Sequence, residues 1–365
     1  MAKRRKKLKK KLLLFFIIVL AVILIIFKYN NNNNNYLDKY SSESQKIIKN
    51  NNIKINKYSK TLDELLKSNN YKLEYIDEYI NINYLDSNNF LEYVNKYLEI
   101  GYNANEINNI FKLSALNQEK ILKYNKLDFK NYLNINNFNI DNIERYDEFK
   151  KNNDYELKDI VTYVNINLDK KYYTDTQEVK DPDNLLVLVN KYNYLPNNYK
   201  PSDLVYVDGA YGNKVPFREV LKESFINLQD AAKKEININL MPTTAFRNQS
   251  FQTTLYNNYV ASDGKEKADT YSARPGYSEH QTGLAIDLKN MALSNTRLTD
   301  DNYNWLQENA YKYGFIIRFP KDKEFITGYQ FENWHIRYVG KEVAKTIHDN
   351  NLTLEEYIDL YITRY

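Results

Sequence analysis

The chain has 365 residues, with 51 Lys and Arg against 47 Asp and Glu, three His and no Cys. That length exceeds one ordinary domain, so two folded units, or one unit and a tether, are expected. The lack of cysteine excludes disulfides, thiolate zinc sites and cysteine nucleophiles together, leaving His, Asp and Glu as the available metal ligands.

In chain order, the first element is a basic arm. Residues 1–11, MAKRRKKLKKK, hold eight Lys or Arg and run directly into sixteen apolar residues, Leu12 to Phe27. A helix of that length spans roughly 24 Å, a little less than a bilayer core, and Lys11 and Lys28 can snorkel at its ends. A cleaved signal peptide is the competing reading, but no small-x-small site follows. The expectation is a single-pass transmembrane anchor over 12–28, with residues 1–11 cytoplasmic and everything after Lys28 extracellular. Without the arm, 43 basic residues face 47 acidic ones, so charge gives no reason to expect nucleic acid as a partner. Residues 29–36 include six consecutive asparagines, which have nothing apolar to bury and read as a flexible linker. Asn, Lys, Ile and Tyr are abundant throughout, as AT-rich codons produce, so the 35 tyrosines are not read as a sugar-binding surface.

From 37 to 169 the apolar spacing is that of short helices: TLDELLKSNN, NNFLEYVNKYLEIGY, NANEINNIFKLSALNQEKILKY and NIERYDEFKKNN, separated by Asn-rich breaks. This predicts an N-terminal all-α module whose role and protein partner the sequence does not name. After Lys170 the texture changes. An apolar run at 185–190 and another at 204–207 predict strands, 216–235 predicts an amphipathic helix, ININLMPTTAFR predicts a strand ending near Pro242, and a further helix begins near Asn248. The domain boundary is placed at 169/170.

The chemistry-bearing stretch is SEHQTGLAIDL, 278–288. Leu284, Ile286 and Leu288 share one face of a strand and Asp287 projects from the other, while His280 lies just before it and Gly283 lets the chain turn between them. An imidazole and a carboxylate so placed can reach one cation. A second cluster, ENWHIRYVG, holds Glu332 and His335. A continuous strand would send those two side chains to opposite faces, so a shared cavity requires a turn between them. Two His and one Asp leave a tetrahedral zinc ion one open position, as a catalytic site requires. Ordinary hydrogen-bonded histidines are the alternative on spacing alone.

Whole motifs add to this. SEHQTGLAID and ENWHIRYVG resemble the paired signatures SxHxxGxAxD and ExxH of the VanY-like D-alanyl-D-alanine carboxypeptidase family, within the LAS zinc peptidases. LVLVNKYNYLPNNYKPSDLV and TAFRNQSFQ extend the likeness, which covers roughly 175–365. The resemblance implies one Zn2+ per chain held by His280, Asp287 and His335, with Glu332 as general base. It implies that Arg247 engages the scissile region and its oxyanion, and that Gln252 and Ser278 line the pocket for the terminal residue. Glu279 neighbours a ligand, but ExxH gives the base role to Glu332; His348 matches no ligand position and reads as structural. Ala245, Phe246 and Asn248 depart from the family pattern at positions that bear on terminal-residue selectivity.

The implied fold of 170–365 is α+β, a small antiparallel sheet with helices packed around a zinc cleft, as in the LAS and Hedgehog proteins. The implied function is a metallo-carboxypeptidase that removes the C-terminal D-alanine of peptidoglycan stem peptides. An L,D-carboxypeptidase, an endopeptidase of the same fold, and a catalytically silent wall-binding module are the alternatives.

Overall fold

The computed structural model describes residues 19, 36–124, 127–292 and 297–363. The predicted anchor, apart from Val19, and the basic arm lie outside the described residues, as does nearly all of the Asn-rich linker. Among the described residues no helix is long and apolar enough to cross a membrane. The chain divides into two compact units, 1–140 and 141–365.

In the first unit the described regular elements are helices, among them Ser42–Asn50, Lys60–Lys67, Phe90–Ile100 and Ala104–Ile110. Each starts where a short polar side chain can cap it or ends where glycine can turn the chain. Ser59 accepts from the Leu62 amide, Asn103 and Glu106 form a reciprocal capping box, and Gly101 closes Phe90–Ile100 at φ 104°. Leu62, Leu65, Val94, Tyr97 and Ile107 are fully buried, as the 3.6-residue spacing requires. The continuous pattern over 103–124 is interrupted, giving Ala104–Ile110 and Ala115–Tyr124.

The second unit begins earlier than the sequence boundary. Helices Ile143–Asn152 and Leu157–Asn165, expected in the helical module, group with the C-terminal half. Tyr155 and Tyr163 pack on Phe325, and Arg145 joins the two helices to Asp169 at 2.6 Å.

The unit is α+β. Strands β1 (Gln177–Glu178) and β2 (Asn193–Tyr194) pair in parallel, and β3 (Leu204–Asp208) and β4 (Lys214–Arg218) form an antiparallel hairpin. The main sheet contains β5 (Leu240–Thr244), β6 (Ala285–Asn290), β7 (Phe315–Ile317) and β8 (His335–Tyr338), antiparallel in the order β5-β6-β8-β7. Helix Lys222–Ile236 covers one face through Phe225 and Leu228, which meet Leu284, Ile286, Leu288 and Ile336 in the core.

Two expected elements differ. Residues 185–190 are not a strand: Val187 and Val189 enter the core, but the carbonyls of Leu185 and Val187 are taken by the Arg337 guanidinium at 2.9 and 3.0 Å, not by a neighbouring strand. The predicted helix from 216 starts at Lys222, because 214–218 alternate as β4, with Val215 and Phe217 buried. Pro216 is tolerated there because its backbone faces away from β3, its carbonyl accepting the Phe246 amide at 2.8 Å, so the missing N–H breaks no bond of the hairpin ladder.

Candidate metal centre and active site

The register of β6 and β8 pairs Asp287 directly with His335 and Ile286 with Ile336. Side chains opposite one another across an antiparallel pair lie side by side on the same face. The apolar face of β6 is fixed in the core, so Asp287 and His335 are driven together on the other. His280 arrives on a single 3-10 turn, Glu279–Thr282, which Gly283 ends at φ 69° before the chain enters β6. His280 Nδ1 lies 2.7 Å from the Ala245 carbonyl. A carbonyl only accepts, so Nδ1 carries the proton and Nε2 keeps its lone pair.

His280 Nε2 is 3.3 Å from Asp287 Oδ2, and His335 Nδ1 is 3.2 Å from Asp287 Oδ1. Ligand atoms about 2.0–2.1 Å from a shared tetrahedral ion lie roughly 3.3 Å apart, so these spacings fit zinc. One ligand atom from each of the three side chains falls within 4.8 Å of the others, and Asp287 Oδ1 is buried without a hydrogen-bond partner. The His/Asp/His set fits a zinc ion.

The remaining residues implied by the sequence gather in the same cleft of about 370 Å³. Glu332 lies in the turn before β8, its amide tied to the Phe319 carbonyl, so the turn that the shared cavity required is present. Glu332 Oε2 stands 3.5 Å from His335 Nδ1. Arg247 Nη1 is 3.6 Å from Asp287 Oδ2 and its buried Nε has no partner. Gln252 is buried; its Nε2 donates to the Ala273 carbonyl and its Oε1 is unpaired, while Ser278 lines the cleft beside it. His348 is not among the cleft residues; it stacks on Tyr311 at 3.9 Å.

Electrostatics separate the roles. Burial, reinforced by the Arg247 charge, pushes His280 down to about 4, so its imidazole is neutral. Burial also opposes charge on His335, but the neighbouring carboxylates of Asp287 and Glu279 outweigh it and raise that imidazole to about 9. A cation bound at Nδ1 displaces the proton there. Burial raises Asp287 too, but His280 and His335 overcome it and hold the carboxyl well below its usual range. Burial dominates at Glu332 and pushes it up to about 7, the range in which a carboxylate can both accept and return a proton.

Beneath the cleft lies a buried charge network that the sequence did not reveal. Glu279 Oε1 accepts from Arg318 Nε at 2.7 Å and from Arg337 Nη1 at 2.8 Å. The Arg318 fork closes on both oxygens of Glu355, at 2.9 and 2.7 Å. Each of these side chains is nearly inaccessible to water, so the charges compensate one another at close range. Glu279 was visible beside His280, but only the β8 register places Arg337 next to it.

Such a site, on an antiparallel α+β frame, defines a metallopeptidase centre. The family model for VanY, D-alanyl-D-alanine carboxypeptidase, matches residues 215–341. The putative carboxypeptidase YodJ of Bacillus subtilis (strain 168) is 44% identical over 207 residues, covering 53% of this chain and 76% of that protein. VanXYC of Enterococcus gallinarum, described as a bifunctional D-Ala-D-Ala dipeptidase and D-Ala-D-Ala carboxypeptidase, is 33% identical over 182 residues, 48% of this chain and 94% of that one. Among solved structures, the LdcB LD-carboxypeptidase is 42% identical, covering 52% of this chain and 92% of that chain, with a TM-score of 0.48. The chain belongs to the VanY family of D-alanyl-D-alanine carboxypeptidases.

Proposed function

We propose that the 141–365 unit is a zinc-dependent carboxypeptidase that removes the C-terminal D-alanine from peptidoglycan stem peptides. The observation that carries this reading is the meeting in one cleft of a His/Asp/His metal set, a non-ligand carboxylate and a half-buried guanidinium. His280, Asp287 and His335 would hold the ion, which when bound supplies Lewis acidity toward a water molecule and the scissile carbonyl. Glu332 accepts the proton of the attacking water and passes it to the leaving amine. Arg247 offers fixed, permanently charged donors to the developing oxyanion or to a substrate carboxylate. Gln252 Oε1 and the Ser278 hydroxyl supply polar contacts for the terminal residue. A binding module has no use for a proton acceptor beside the metal.

The test is incubation of the protein with defined penta- and tetrapeptide stems, followed by weighing the products. Loss of one alanine from the pentapeptide is expected. Trimming of the tetrapeptide alone would move the reading to an L,D-carboxypeptidase, and zinc binding without any product would leave a wall-binding module.

We also place the catalytic unit outside the membrane, tethered by residues 12–28. The support is the basic arm ahead of an uninterrupted apolar stretch and the location of the proposed substrate. Protease added to intact protoplasts is expected to destroy the 141–365 unit; full protection would overturn this orientation.

A further inference from the structure

His335 lies between carboxylates on both sides of its ring. Nδ1 faces Asp287 and Glu332 in the cleft, whereas Nε2 points away, toward Glu279 Oε2 at 3.7 Å. Both of these last atoms are buried and neither has a hydrogen-bond partner. The other Glu279 oxygen is saturated by two guanidinium donors. A carboxylate serving only to neutralise Arg318 and Arg337 would present both oxygens to them. This one turns a charged acceptor toward an imidazole nitrogen instead.

We propose that Glu279 is the positioning residue of the metal centre: its Oε2 accepts the Nε2 proton of His335 and so commits Nδ1 to the ion. A neutral imidazole carries its proton on either nitrogen, and the partner of one nitrogen decides which lone pair is left for a metal. Glu279 cannot turn away, because it is clamped from three directions. Arg318 follows β7 and is itself held by Glu355; Arg337 lies on β8, with Nη2 fixed on the carbonyls of Leu185 and Val187; Glu279 sits on the turn that carries His280. Two of the three ligands therefore share one support: His280 adjoins Glu279 in sequence, and His335 meets it in space.

The proposal rests on the metal reading of the site, and the experiment separates the two. In Glu279→Gln the amide oxygen is expected to stay on the arginines, which turns the amide N–H toward His335 Nε2. That reverses the polarity and favours the tautomer with Nδ1 protonated. Zinc affinity, measured by chelator competition, should fall about 10–100-fold, the usual cost of losing such a partner. Nitrogen-15 spectra of the imidazoles give the independent readout. In zinc-loaded wild type, His335 should carry its proton on Nε2, with the shift of a metal-bound nitrogen at Nδ1. A proton on Nδ1 would overturn the proposal, as would unchanged zinc affinity in folded Glu279→Gln. If that variant does not fold, the wild-type spectrum decides alone. A wild-type chain that binds no zinc would remove the metal reading and this role with it.

Discussion

Replacing Glu332 by Gln keeps the shape and hydrogen bonding of the side chain but removes its capacity to take a proton at neutral pH. Glu332→Gln is therefore expected to bind zinc as the parent does and to lose roughly 10²–10⁴-fold in turnover. Zinc loss in that variant would make Glu332 a ligand. His280→Ala should behave in the opposite way, losing the metal itself, because two protein ligands do not hold the ion; metal analysis showing equal zinc in parent and variant would sink the assignment. Away from the cleft, Lys191 is buried, its Nζ donating to the Asp269 carbonyl at 2.7 Å and lying 4.3 Å and 4.5 Å from the Tyr172 and Tyr329 ring centres. Burial lowers its ammonium from 10.5 to about 8. Between those values the folded chain has released a proton that the unfolded chain still holds, so this residue makes stability rise with pH in that window. Below about 8 both states are protonated, and its contribution no longer changes with pH. Urea melts should therefore show the parent gaining on Lys191→Met between about pH 8 and 10, and parallel curves would refute the assignment.

The metal set owes its geometry to one strand pairing and one turn. A single-residue slip of β8 against β6 would carry His335 to the core face and leave Asp287 without its neighbour. The turn depends on Gly283, at φ 69°, where an added Cβ would lie 3.0 Å from Arg218 Cγ and 3.2 Å from Leu204 Cδ2. Gly283→Ala is expected to cost about 1–2 kcal/mol in a denaturant melt and to weaken zinc binding, since the same turn presents His280. Equal melts would show that the turn relaxes freely. The two halves of the site differed in how far the sequence revealed them. The alternation of Leu284, Ile286 and Leu288 around Asp287 is local and was legible in the chain, as was the Asn248 cap of helix Gln249–Asp263. The pairing of Asp287 with His335 is a register between strands separated by nearly fifty residues, and no local pattern encodes it. The run at 185–190 misled for a related reason: its apolar side chains do enter the core, but a distant arginine, not a strand, satisfies its carbonyls. At 216–221 a two-residue and a 3.6-residue period overlap, so the helix expected from 216 takes in the last three residues of β4.

At the scale of the molecule, the helices 143–165 belong with the catalytic half, where Tyr155 and Tyr163 cover Phe325 and Arg145 anchors Asp169. Residues 141–365 expressed alone should trim soluble stem peptides as the full chain does, and should melt at higher denaturant than residues 170–365. Coincident melts would return the boundary to 169/170. The network under the cleft also has a consequence in time. Glu355 sits in the short helix Leu354–Tyr357, and through Arg318 it completes the support of Glu279. The ribosome delivers residues in order, so His280, Asp287, Glu332 and His335 all emerge before the carboxylate that lets Arg318 be buried without leaving an unpaired charge. A nascent chain stopped before Thr353 holds every ligand and the base, yet has a guanidinium with no partner for its fork. The support of the centre is thus complete only once the helix Leu354–Tyr357 has docked.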